Sequence, residues 1–287
     1  MRRISFAAAL ATVAVVSPLS AQTWQAIGVP SNTNTGAYWN NQSYGTPTGG
    51  VVCNVGAVLT NTPMSTGSCP NQLTAFLPIT PTPLTTSNVF LGGAAGAEPG
   101  IGGFRFAAGT YNISRLGGIA AAGSAAWGVV TDAGISYSAA ILSAGNTTIT
   151  GPFAIWITEA LPVAGGGVTY TSDRRTGAVM MGSRGTTLLQ QHAVFTNGTG
   201  LGNLGSLSTD AFGTIINSTG VGATYYVGME DLSNGGRGFA TAGANPISDR
   251  DYQDVLIRIQ AVPEPATIGL MGFGLLALAG VAKRRKA

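Results

Sequence analysis

Apolar and polar residues alternate in short runs along most of this chain. The runs are broken by Gly, Pro, Asn and Thr rather than continued at helical spacing. Eight stretches carry the pattern: FRFAAGTYNIS, WGVVTDAGISYSAAIL, TTITGPFAIWITEAL, GVTYTSD, GAVMMGS, TTLLQQHAVFTN, ATYYVGME and DVLIRIQ. Their β-branched and aromatic residues suit a pleated surface. In the last of them Val255, Ile257 and Ile259 share one face, while Leu256 and Arg258 take the other. Short strands at modest spacing predict an all-β fold, a sandwich or jelly roll. The segment 112–127, NISRLGGIAAAGSAAW, offers a place for a short helix, but three Gly make it a poor one. From Gln22 to about Pro83 the chain is rich in Asn, Thr, Pro and Gly, and is expected to be a loop-rich first part of the same domain.

The two ends follow different rules. Met1-Arg2-Arg3 is a basic start, Ile4 to Val16 is apolar and uncharged, and small residues follow near Ala21. This is the three-part pattern of a secretory signal peptide over 1–21. At the other end Thr267 to Ala282 is uncharged and contains four Gly. As a helix it is about 24 Å long, short of a hydrocarbon core of roughly 30 Å, yet able to span with local thinning. Lys283, Arg284, Arg285 and Lys286 then form a stop-transfer end held on the cytoplasmic side of the inner membrane. The expected organisation is a signal peptide, an exported β body over 22–260, and a tail over 261–287 with a single transmembrane helix.

Charge changes the picture once the ends are set aside. The whole chain carries a formal +3, but six of its fourteen basic residues lie at the termini, and both lysines are in the tail. Between Gln22 and Val262 eight Arg face ten acids, a net −2. Nucleic acid is therefore not an expected partner, since it needs a clustered basic surface. Cys53 and Cys69, the two cysteines, are separated by fifteen residues. In an exported chain they are expected to form a disulfide, worth about 3 kcal/mol in the chain-entropy picture.

Candidate chemistry is thin. His192 is the sole histidine. It could serve as a base, but HAVF reads as a strand, where a histidine is usually packed. There is no G-x-S-x-G, MGSRG lacks that spacing, and the body has no lysine for a P-loop. No acid pair is marked out for glycoside hydrolysis, so no enzymatic reaction is predicted. Five of the ten body acids do fall close together: Glu230, Asp231, Asp249, Asp251 and Asp254. Hard oxygen ligands at such spacing suit calcium. Asp249 and Asp251 would point the same way in an extended segment and Asp254 the other, so joint ligation needs a loop or bulge before Val255. The competing expectation is a solvated turn in which Arg237, Arg250 or Arg258 pairs with the acids.

GMEDL, SDRDYQDVLIRI and VPEP together resemble the end of a recurrent secreted bacterial β domain, in which an E-D pair and a D-x-D-[FY]-N-D box precede a last hydrophobic strand. Here Gln253 stands where that pattern has Asn, and GGRGFATAGANPI separates the two acidic parts. The final VPEPATIGLMGFGLLALAGVAKRRKA resembles the PEP-CTERM sorting signal: a Pro263-Glu264-Pro265 triplet, a short Gly-rich helix and a basic end. That resemblance implies recognition of Pro263, Glu264 and Pro265 by an exosortase, removal of the tail, and release or transfer of the body to the surface or exopolysaccharide matrix of a Gram-negative bacterium. NTGAYWNNQSYGTPTGGVVCNVGAVLT is similar to the N-terminal part of some proteins with this signal, which favours one domain from about 23 to 260. The leading expectation is a non-enzymatic exported surface or matrix protein, with calcium as candidate stabilising ion. The alternative is a carbohydrate-binding module using Trp24, Trp39, Tyr38 and Tyr44 as stacking residues. A secreted hydrolase dependent on Asp251 ranks last.

Overall fold

Tyr111 and Ile113 alternate with Asn112 and Ser114 along one strand, and this period of two places the apolar pair against a second sheet. The same rule builds the rest of the body. In a computed structural model, the described residues are 23–27, 39, 54–62, 75–78, 83–85, 89–92, 103–118, 125–158, 169–173, 175, 181–184, 187–196, 206–217, 223–230, 252–262, and 269, 272, 274 and 275 in the tail. In chain order the elements are β1 (Thr23–Ala26), α1 (Val55–Thr60), β2 (Val89–Gly92), β3 (Phe104–Phe106), β4 (Gly109–Gly117), β5 (Ala126–Thr131), β6 (Ser136–Ser138) and α2 (Ala139–Leu142). There follow β7 (Asn146–Ile149), β8 (Phe153–Thr158), β9 (Thr169–Thr171), β10 (Met181–Arg184), β11 (Thr187–Gln190), β12 (His192–Thr196), β13 (Ser206–Asp210), β14 (Gly213–Asn217), β15 (Thr224–Met229) and β16 (Val255–Ala261).

Two sheets pack together as a β-sandwich. Sheet I has the order β1-β2-β12-β15-β16-β4-β7 and is antiparallel throughout. Sheet II has the order β13-β14-β3-β8-β5-β6, with β9 also on β8 and one parallel pair, β14 with β3. A separate ribbon joins β10 and β11. Between the sheets lie Tyr111, Ile113, Val194, Tyr225, Val227, Ile257 and Ile259 from sheet I, against Phe104, Phe106, Trp127, Val129, Phe153, Ile155 and Ile157 from sheet II. Phe106 sits at the centre, 5.6 Å from Phe153 and 5.3 Å from Tyr225 between ring centroids. Aromatic pairs at these distances add to the burial energy.

Each of the eight stretches read from the sequence contributes a strand. The helix considered for 112–127 does not form over its described part, where the end of β4 and the start of β5 lie instead. Inward Tyr111, Ile113 and Trp127 fill the sandwich core at a spacing that a helix would scatter around its circumference.

The N-terminal part packs on the opposite face of sheet I. Ala193, Phe195, Tyr226, Leu256 and Leu116 point outward there, and Trp39, Val55, Ala57, Val58, Leu59, Phe76 and Leu84 cover them in a second core. α1 is six residues long, too short to persist alone. It is held by burial of Val55 to Leu59, by Asn54 accepting the Ala57 N–H at 2.9 Å, and by Asn61 ending it in the left-handed region at φ 50°. Trp39 is fully buried with its ring edge-on to Phe195 at 5.0 Å, and lies so close to Gly56 that a Cβ there would collide with the indole. Cys53 and Cys69 lie outside the described residues, as does the signal peptide over 1–21.

Candidate functional site

The body ends where the tail motif begins. β16 runs to Ala261 between β15 and β4, and the Val262 N–H still donates to the Thr110 carbonyl at 2.9 Å. The next residue is Pro263, which has no N–H to extend such a ladder. Pro263, Glu264, Pro265, Lys283, Arg284, Arg285 and Lys286 lie outside the described residues. Beyond Val262 the described residues of the tail are Gly269, Gly272, Gly274 and Leu275, each helical and exposed. Among the described residues no helix is long and apolar enough to cross a membrane.

The acidic cluster is seen in part. Glu230 follows β15 and Asp254 precedes β16, so the pairing of these strands brings both to one end of sheet I. Both are buried. Met229 bridges Gln253, and the Glu230 N–H donates to the Gln191 carbonyl at 3.0 Å. Two residues before Asp254 the backbone leaves the extended region: Tyr252 adopts a φ of 56°, a rare conformation for a bulky side chain. Asp231, Asp249 and Asp251 lie outside the described residues. Among those described, no three His, Cys, Asp or Glu are grouped to hold a metal ion.

His192 opens β12, opposite Met229, and is fully buried. Burial pushes its imidazole down to about 3. It is therefore neutral at pH 7 and far from the range of an efficient general base there. Trp39, taken from the sequence as a stacking residue, is interior and offers no face to a sugar. Trp24 is half-buried and stacks on Tyr225 at 6.3 Å. Tyr38 and Tyr44 lie outside the described residues.

A different charged group is assembled on sheet II. Arg105, between Phe104 and Phe106 on β3, points away from the inter-sheet core yet is fully buried. Its Nη1 donates to both Asp132 oxygens at 2.8 and 2.6 Å, and its Nη2 donates to Asp210. Nε lies 3.8 Å from Asp173, and the guanidinium stands over the Phe212 ring at 5.1 Å. Arg175 adds a second cation, 3.1 Å from Asp173 and 3.2 Å from Asp132, and donates to the Thr131 carbonyl at 2.7 Å. Thus the β5–β6 turn, the segment after β9 and the β13–β14 turn converge on one strand. Ser172 completes the junction. It accepts the Ile155 N–H at 3.0 Å and donates to the Phe104 carbonyl at 2.8 Å, filling a seam where β3 and β8 pair only at Phe106 and Phe153.

Burial opposes the charge on Arg105, but Asp132 and Asp210 outweigh it and hold the guanidinium above its ordinary value. Burial pushes the Asp173 carboxyl up to about 6, against the pull of Arg175 and Arg105. With Asp173 protonated, two cations face two carboxylates. Ionising it adds an unbalanced charge in a dry site. The folded state therefore holds this proton more tightly than the unfolded chain does. The associated stability is fully present below about pH 4 and is lost as pH rises through about 6. His192 has the opposite sign: its contribution is present above its ordinary value near 6.5 and is lost as pH falls toward about 3. We expect Asp173→Asn to remove the first effect alone. Melting curves from pH 4 to 7.5 should show the variant gaining on the wild type as pH rises, by up to about 3 kcal/mol. A difference independent of pH would rule out an elevated Asp173.

The sequence reading did not single out Arg105, Asp132, Asp173, Arg175 or Asp210. One signal was available, a charge flanked by two phenylalanines in a charge-poor chain. Its partners are distant in sequence and carry no spacing signature.

Comparison with known proteins places the one recognised feature at the C-terminus. Residues 261–286 match the PEP-CTERM protein-sorting motif. The chain is thereby marked as an exosortase substrate and an exported protein. No curated protein matches the chain, and no solved structure matches it.

Proposed function

We propose that this chain is a non-enzymatic cell-surface or extracellular-matrix protein of a Gram-negative bacterium. An exosortase removes its tail and delivers the body. The observation that carries this reading is the sorting motif over 261–286, which starts as the last body strand ends. A sandwich whose final strand is central in its sheet is complete before the triplet, so cutting beyond Val262 leaves every described ladder intact. The chemistry of the body supports a passive role: His192 is neutral and interior, and the Arg105 cluster is neutralised by its own carboxylates. The test is the mass of the mature protein in its host beside a Glu264→Ala variant. The wild type should lose both ends and the variant should keep its tail. An intact tail in both would leave a simple membrane anchor and end the sorting proposal.

Calcium is the second element of the proposal. Glu230 and Asp254 are buried at one end of sheet I, and Tyr252 holds a backbone conformation that costs about 1–3 kcal/mol. A cation bound among these acids and Asp231, Asp249 and Asp251 would neutralise them and make use of the bend. Thermal melts in millimolar calcium should then lie several degrees above melts in chelator, because an ion that binds only the folded state stabilises it. Coincident melts would remove calcium.

A further inference from the structure

We propose that the open half of the outer face of sheet I binds a neutral polysaccharide chain. The inference takes from the export reading only that such polymers lie within reach. One half of this face is apolar and covered by α1 and Trp39; the other half is polar. Register aligns Gln260 of β16 with Asn112 of β4, and Asn112 with Asn146 of β7. Their amides form a single rung across three adjacent strands, spaced by about 4.8 Å. A second rung pairs Thr110 with Thr148, whose hydroxyls lie 3.0 Å apart; the next pair, Ser114 with Arg258, has its hydroxyl and Nε buried and bounds the open part of the face. Asn146 and Thr148 are exposed, and Asn112, Gln260 and Thr110 are half-buried.

Each amide in the first rung both donates and accepts. Asn112 Nδ2 donates to Asn146 Oδ1 at 3.2 Å, which leaves the Asn112 carbonyl oxygen, the Asn146 amide N–H groups and the whole Gln260 amide for a ligand. Sugar hydroxyls also donate and accept, so the two surfaces match group for group. The two rungs contain no carboxylate, so a cation is not attracted, and no basic residue to hold a nucleic acid. They present no exposed aromatic or aliphatic anchor of the kind that centres a protein interface. Sheet I is fixed from behind by the inter-sheet core, through Tyr111, Ile113, Ile257 and Ile259. The rungs are thus held at set spacing before any ligand arrives, which lowers the ordering cost of binding.

The full-length chain in mild detergent should be retarded in native gels containing at least one of xylan, mannan or mixed-linkage glucan. Joint Asn112→Ala and Gln260→Ala substitution should weaken the apparent affinity about tenfold or more, with the melting temperature unchanged. Equal mobility in all three gels would overturn the proposal. So would retardation that survives the double substitution, or retardation by the polyanion alginate alone. Tail removal plays no part in this assay, so either reading can fail while the other stands.

Discussion

Arg105→Met should lower the unfolding free energy by about 3–5 kcal/mol, a shift on the order of 10 °C in melting temperature. The side chain is fully buried and serves three elements distant in sequence through Asp132, Asp173 and Asp210. Asp132 and Asp210 are more than a third exposed and can turn to water, so their share of the loss is small. Asp173 cannot, because its side chain is wholly buried, and with the Arg105 guanidinium 3.8 Å away removed it keeps Arg175, at 3.1 Å, as its remaining cation in the cluster. The main cost is that buried carboxylate left with one cation in place of two, rather than the lost attraction to Asp132 and Asp210. A second substitution should therefore recover part of the loss: Arg105→Met with Asp173→Leu is expected to be more stable than Arg105→Met alone. Urea unfolding of the two variants measures this directly. A loss below about 1 kcal/mol in the single variant, or strict additivity in the double, would show that the cluster is a surface ornament.

Trp39→Ala is expected to cost about 3–5 kcal/mol, the range for emptying a large aromatic from a core. Trp39 joins the N-terminal layer to sheet I, touching Gly56 of α1 on one side and Phe195 of β12 on the other. A helix of six residues depends on such packing. Amide exchange over Val55–Thr60 should then quicken far more than exchange over Val255–Ala261, because the cavity opens between the layers and not between the sheets. Equal acceleration in both segments would falsify the separate-core description. No loss of stability would mean that the N-terminal segment is an appendage rather than a layer of the domain.

The strands of the inter-sheet core were legible because their signal is local. In ATYYVGME and DVLIRIQ the β-branched and aromatic residues mark strands, and the period of two puts Tyr225, Val227, Ile257 and Ile259 on the inter-sheet face, while Tyr226 and Leu256 are buried on the other. The edge hairpin β13–β14 was not singled out. SLSTD has a single apolar residue, Leu207, which packs against the core, and one such residue among four polar ones does not distinguish a strand from a loop. α1 was missed for a related reason. VGAVLT is a weak helix former, and only Asn54, Asn61 and the apolar face of sheet I stabilise that conformation. His192 as a packed strand residue could be anticipated from HAVF. Trp39 as an interior residue could not, because a Tyr-Trp-Asn run looks the same whether its rings meet a ligand or a core.

The sequence by itself determined that this protein is an exported exosortase substrate and that its body is built from strands. Sorting is read by a protease from a contiguous segment, so Pro263-Glu264-Pro265, the apolar run and the basic end are complete in one dimension. Strand periodicity is equally local. The tertiary structure alone decided which faces are covered and which charges meet. Arg105 finds Asp210 across more than a hundred residues, and Gln260, Asn112 and Asn146 form a row only after three strands are in register. Those arrangements depend on chain topology, and no spacing along the sequence encodes them.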